Sequence, residues 1–220
     1  MVRCLTSTFH LGRSCVNSLL SILLKGDAVP RSPEQTRSRI LDAAYKLFRR
    51  QGYNRVTMDD IAEAAKLTKR TLYHHFNSKD QLLADVLESQ HHLALQAFRT
   101  FGDSLSGSAE AIVRAMFRDL AVWADSPRWI GSGFTRLVIE LADLPGHPAR
   151  LIARRHKAQL EKSFAELLAR SGVERPSELA RAVWLLSEGA ISLMLVHGDR
   201  GYSGAASDAA ITLIRHHLKK

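Results

Sequence analysis

Cysteine is nearly absent from this 220-residue chain: Cys4 and Cys15 stand in the first thirty residues and none follows. The remainder therefore holds neither a disulfide staple nor a cysteine-ligated metal, a usage that suits a cytoplasmic protein. No stretch alternates apolar and polar residues over the length of a strand, and neither an internal repeat nor a low-complexity tract is present. The motifs G-x-S-x-G, G-x-G-x-x-G and the Walker loop are all missing, so no catalytic or nucleotide site is marked. Histidine is plentiful, but His74-His75, His91-His92 and His216-His217 are sequence neighbours, which point to different sides of a helix. Metal ligation wants an i, i+4 pair or separated pairs that converge, and H-E-x-x-H does not occur. These histidines read as structural or solvated, with His74 the exception. No cofactor, no metal and no enzymatic activity are expected. The apolar run Val16 to Leu24, broken by Asn17, Ser18 and Ser21, is too short to span a bilayer. No membrane partner is expected.

Charge is present in excess and is unevenly placed. The formal charge is +9, and residues 31–80 hold 11 Lys and Arg against 6 Asp and Glu. Residues 81–220 hold 17 against 15. More than half of the excess thus sits in less than a quarter of the chain, which is the electrostatic footprint of phosphate binding, or else a basic solvated surface.

That basic stretch reads as a three-helix unit. Ser32, Pro33 and Gln35 make a strong helix start, and Ile40, Ala44, Leu47 and Phe48 follow at helical spacing until Gly52. Thr57 and Asp60 form a capping box that opens a short helix with Ile61 and Ala65 on its apolar edge. Lys66 and Leu67 make a turn, and Thr68 caps a second short helix. There Leu72 and Phe76 face inward together, while Arg70 and His74 face the other way with Thr71 beside them and Lys69 and Tyr73 on the flanks. Two short helices at an angle, the second presenting basic and hydroxyl groups, describe a helix-turn-helix whose second helix enters the DNA major groove. A pair of ordinary amphipathic helices with a solvated basic face is the plain alternative.

The rest of the chain is read as helical. Ser78 and Gln81 open a long helix reaching about Phe101, with Leu82, Val86, Leu93 and Phe98 as its apolar stripe. Further helices are expected over Ala109 to Ala124, Phe134 to Ala142, Ala149 to Arg170, Ser177 to His197 and Ala205 to His217, with Gly198 to Gly204 as a loop before the last. Ser177 to His197 is apolar on more than one face, and its Gly189 and Ala190 would allow a second helix to approach. Residues 1–30 differ in character. With Arg3 and Arg13 upstream, Val16 to Leu24 faintly mimics a signal peptide, without a clean small-x-small cleavage site. The readings open for them are a disordered or partly helical extension, an upstream start, or an arm that reaches DNA.

The full string is more telling than any one helix. Thr-x-x-x-Ile-Ala from Thr57, Leu-Thr-x-x-Thr-Leu-Tyr-x-His-Phe from Leu67, and Ser-Lys-Asp-x-Leu from Ser78 closely resemble the tetracycline-repressor (TetR) family. The resemblance covers about fifty residues, from Pro33 to Leu83, and the remainder resembles the family only in length and helical character. It implies a phosphate contact at Thr57, base or phosphate contacts at Thr68, Lys69 and Arg70, a groove-facing Thr71, a phosphate grip by Tyr73 and His74, and a backbone-donating Lys79. The family often has glycine at the Arg70 position, so close backbone approach is replaced here by a side chain able to reach a guanine. The family also binds a small molecule in its larger domain. Met116, Trp123, Phe134, Trp184 and Met194 read as core, and some of them would line such a pocket for a lipophilic ligand.

These readings converge on an all-α protein: residues 1–30 an extension, 31–80 a helix-turn-helix DNA-binding domain, and 81–220 a helical ligand-binding and dimerisation domain. The expected function is a ligand-responsive repressor that binds an inverted-repeat operator as a homodimer through the last two helices. A sequence-tolerant, nucleoid-type DNA binder without a ligand, and an α-helical enzyme carrying a DNA-binding domain, are the other classes the sequence leaves open.

Overall fold

The computed structural model describes residues 32–105, 107–127 and 129–218, and the readings of residues 1–30 lie outside the described residues. Among these, every regular element is an α-helix: α1 Pro33–Gln51, α2 Met58–Ala64, α3 Lys69–His75, α4 Lys79–Ser104, α5 Ala109–Ala124, α6 Gly133–Glu140, α7 Pro148–Arg170, α8 Pro176–His197 and α9 Gly201–Leu218. The architecture is an N-terminal helix-turn-helix unit followed by a helical C-terminal part. The helix starts are set locally. The Ser32 hydroxyl accepts a hydrogen bond from Gln35 N, while the Gln35 side-chain oxygen accepts one from Ser32 N. At α5 and α6 the Ser108 and Ser132 hydroxyls accept from Ala111 N and Thr135 N, without a reciprocal bond to the cap amide. Each cap satisfies an amide that has no partner inside its helix.

Of the described residues, 32–94 and 132–156 pack as one compact unit. Its core is formed by Ile40, Ala44 and Phe48 of α1, Ile61 of α2, Leu72 of α3, Phe76, and Leu82, Leu83 and Val86 of α4, with Leu137, Leu141 and Ala149 added from the later segment. Burying each large side chain of this kind contributes about 1.5–3 kcal/mol. The second unit, residues 95–131 and 157–218, packs α5 against α8 and α9 through Ile112, Phe117, Leu120, Phe164, Leu168, Val183, Met194, Ile211 and Ile214. The Ser203 hydroxyl donates to Phe117 O at 2.7 Å and pins the start of α9 to α5.

Four expectations change. The last helix begins at Gly201 rather than Ala205, because the Asp199 carboxylate accepts from Gly201 N at 2.8 Å and lets Tyr202 to Gly204 join the first turn. Leu93 is 56% exposed, and the inward position on α4 falls to His91 instead. His91 is buried and pairs through Nδ1 with Nδ1 of His156 at 3.1 Å, and burial first, then Arg155, pushes it below its usual range. Ala190 is buried in its own unit, so Gly189 alone of the two small residues faces outward. Phe134 packs with the first unit, stacked face to face on His156 with ring centroids 3.7 Å apart.

Gly52 has the strictest backbone requirement in the first unit. It ends α1 with φ 89° and ψ 166°, and its N–H donates to Phe48 O at 2.9 Å. A Cβ at this position would lie 2.7 Å from Oε1 of Glu140. Gly52→Ala should therefore lower stability by about 1–3 kcal/mol, the cost of a non-glycine residue in that region of backbone space. A urea midpoint equal to that of the wild type, at unchanged slope, would contradict it.

Candidate nucleic-acid interface

The turn between α2 and α3 sets the angle of the two helices. Ala65 N donates to Ile61 O and Leu67 N to Ala62 O, both at 2.9 Å, while Lys66 takes a left-handed φ of 53°. Arg39 of α1 donates through Nη2 to Ala65 O and ties this turn to the buttressing helix. Thr57 accepts from Asp60 N at 3.1 Å, and the Asp60 carboxylate takes both the Thr57 amide and its hydroxyl at 2.8 Å. These bonds, the backbone one first, hold the Asp60 carboxyl below its usual range. Thr68 accepts from Thr71 N at 3.1 Å and shares a 2.8 Å hydrogen bond with the Thr71 hydroxyl.

The faces of α3 follow. Leu72 is fully buried and Phe76 nearly so, which anchors the helix inward. Thr68, Lys69, Arg70, Tyr73 and His74 are exposed, and Thr71 is half-buried. The structure thus brings six of the eight candidate DNA contacts onto α3 and its cap, with Thr57 and Lys79 flanking it in sequence. Their chemistry differs. Lys69 pairs with Asp59 of α2 at 2.9 Å, and this carboxylate raises its pKa. Arg70 has no ion pair or hydrogen bond among the described residues, so all five of its N–H donors are free.

Lys79 is half-buried and engaged inside the unit. Its ammonium donates to Tyr53 O at 3.1 Å and to Val56 O at 3.0 Å, and sits 4.2 Å from the Tyr53 ring centroid. Two of the three ammonium protons are used, which leaves one for an external acceptor. Tyr53 is the centre of this cluster. Its hydroxyl donates to Asp80, its ring packs on Phe48 and meets the edge of His147, and burial followed by the Asp80 carboxylate raises the phenol pKa. Sequence reasoning passed over Tyr53, and also Arg55 and Lys66, two exposed cations without an ion pair among the described residues. The signal for the last two was available: both flank the capped helix within the basic stretch.

The five candidate pocket residues divide between the two units. Met116 and Met194 are core of the second unit, Trp123 lies at its edge against Trp129, and Trp184 is half-buried with an unpartnered Nε1. Phe134 belongs to the first unit. A groove of about 320 Å³ in the second unit is lined by Gly102, Asp103, Leu105, Ile112, Leu167 and Arg170. Among the described residues, no group of three or more potential metal ligands occurs.

Residues 40–86 match the sequence profile of the family described as bacterial regulatory proteins, tetR family. A segment of 84 residues is 44% identical to the HTH-type transcriptional regulator SrpR of Pseudomonas putida, covering 38% of this chain and 38% of that protein. A segment of the same length is 43% identical to a P. putida HTH-type regulator, TtgW, of which it covers 61%. The chain therefore matches less than two thirds of the length of these relatives. The solved structure of a TetR-family transcriptional regulator from Streptomyces coelicolor aligns with a TM-score of 0.74 at 27% identity, over 84% of this chain and 96% of that one. The resemblance to TetR-family regulators thus holds by sequence in the helix-turn-helix unit and by fold over most of the chain.

If Arg70 reads a base, Arg70→Ala should cost about 1–3 kcal/mol on the cognate site and relax selectivity at one position per half-site. Lys79→Ala should instead weaken binding to all duplexes alike and lower the salt slope by about one. Selection from a randomised duplex library checks both, and a preference unchanged in Arg70→Ala would remove that assignment.

Proposed function

We propose that this chain is a ligand-responsive transcriptional repressor of the TetR type, acting in the cytoplasm on double-stranded DNA as a homodimer. One observation carries the DNA-binding reading: a seven-residue helix anchored by Leu72 presents Lys69, Arg70, Tyr73 and His74 outward. The proposed division is residues 31–80 for DNA contact, with Thr57, Thr68, Thr71 and Lys79 completing the contact set, and 81–220 for dimerisation and ligand sensing. A ligand with different affinities for two dimer geometries would shift the population between them and so change operator affinity.

The dimer reading rests on α8. By length and composition it is apolar enough to cross a membrane, with a mean hydropathy of 1.6 over its best window. Its ion pairs Arg181–Glu161 and Lys157–Glu188 hold one side to α7. Leu185 and Val196 are 74% and 75% exposed, and Leu193 and Leu195 are exposed as well. Gly189 lies among them, where an added Cβ would meet no atom within 4 Å. A mid-helix glycine costs about 1 kcal/mol relative to alanine, so its presence without any intrachain need fits the close approach of a second helix. Exposed apolar surface of this kind marks an interaction site, and a second copy of α8 and α9 is self-complementary to it under two-fold symmetry.

Footprinting of the DNA upstream of the chain's own coding region tests the function. Protection of an inverted repeat, with half-sites about one helical turn apart, is expected. Equal affinity for random duplex at every salt concentration would point to a sequence-tolerant binder instead. Leu185→Glu should give a monomer by sedimentation and abolish tight operator binding at the same time. A wild type that sediments as a monomer would defeat the dimer.

A further inference from the structure

Glu140, the last residue of α6, reaches backbone 87 residues earlier in the chain. Its Oε2 accepts from Tyr53 N at 2.7 Å and from Asn54 N at 3.3 Å, while Oε1 stands over Gly52. Hydrogen bonds to an ionised acceptor are about twice as strong as neutral ones. Within the same helix, Arg136 donates through Nη1 to Arg49 O at 3.0 Å, near the end of α1, where helix carbonyls lack intrahelical partners. So α6 grips this corner twice, with a cation on the end of α1 and an anion on the amides that follow it. Both contacts lie within the unit that contains α2 and α3.

The corner matters because of what it holds. Tyr53 N is fixed by Glu140, and Tyr53 O accepts from Lys79. Val56 O accepts from Lys79 as well, and the next residue, Thr57, caps α2. The loop between α1 and α2 thus sets where Lys79 sits and where α2 begins. We propose that Glu140 is a positioning residue for DNA binding, acting on this loop rather than on nucleic acid. The inference rests on the DNA-binding reading above.

The sign of the effect separates positioning from charge. A carboxylate near a polyanion repels it, so on charge alone its removal tightens binding. Positioning gives the opposite result. The test uses the full chain with two duplexes, the DNA upstream of its own coding region and a random sequence of equal length. Affinity is read by fluorescence anisotropy at several salt concentrations, and amide hydrogen exchange is followed over residues 52–56. Glu140→Ala should speed exchange at Tyr53 and Asn54 and weaken binding about tenfold. Glu140→Gln, whose amide oxygen can accept the same two bonds, should stay within about twofold of the wild type. Glu140→Asp keeps the charge but retracts the carboxylate by one methylene. It should also weaken binding, and it decides the matter if the alanine variant does not fold. Wild-type or tighter affinity in the Ala or Asp variant, or a Gln variant as weak as Ala, overturns the proposal. A wild type that binds neither duplex defeats the DNA-binding reading and the inference with it, whereas wild-type binding with unmoved variants defeats the inference alone.

Discussion

A seven-residue helix does not stand by itself in water. Nucleation costs more than one or two hydrogen-bonded turns return, so α2 and α3 exist only because something holds them. The holding is tertiary: Ile61, Leu72 and Phe76 are buried on Ile40, Ala44 and Phe48 of α1 and on Leu82 and Val86 of α4. The caps at Thr57 and Thr68 fix where each helix starts, and Arg39 fixes the turn between them. Everything that α3 can present to a groove depends on this inward anchoring. Because its two faces are separated by half a turn, burying Leu72 and Phe76 obliges Arg70, Tyr73 and His74 to face out.

The parts of the fold legible in the sequence are those decided within a few residues. The capping boxes at Ser32 and Thr57, the glycine stop at Gly52 and the inward pair Leu72 and Phe76 each depend on spacing alone. What was not legible depends on contacts between residues far apart in sequence. Nothing local tells that His91 rather than Leu93 turns inward, because the choice is made by His156 on α7. Position in the chain puts Phe134 in the larger domain, yet its ring stacks on the same His156. Glu140 looks like any solvated carboxylate until the amides of Tyr53 and Asn54 are seen beneath it. The start of α9 differs for another reason: three glycines in seven residues read as a loop, and the Asp199 side chain, accepting from Gly201 N, overrides them.

The basic excess of the first unit also changes meaning once its partners are known. Residues 31–80 hold 11 Lys and Arg, but several have their charge committed within the fold. Arg37 pairs with Asp85, Lys69 with Asp59, and Arg39 and Lys79 donate to backbone carbonyls. An exposed ion pair can open to meet a phosphate at small cost, since such pairs contribute little in water. A half-buried ammonium fixed by two carbonyls and an aromatic ring cannot move without disturbing the loop it holds. Lys69 and Lys79 are therefore different kinds of basic residue, one exchangeable and one built in. The slope of affinity against salt counts phosphates neutralised in the complex, not the formal charge of the chain. Among the cations without an ion pair, Arg55 precedes α2, Lys66 lies in the turn and Arg70 stands on α3, and each can meet an incoming anion at no internal cost. Net charge thus marks the basic stretch along the chain, while the partners of each charge decide which of its cations are free to meet an external anion.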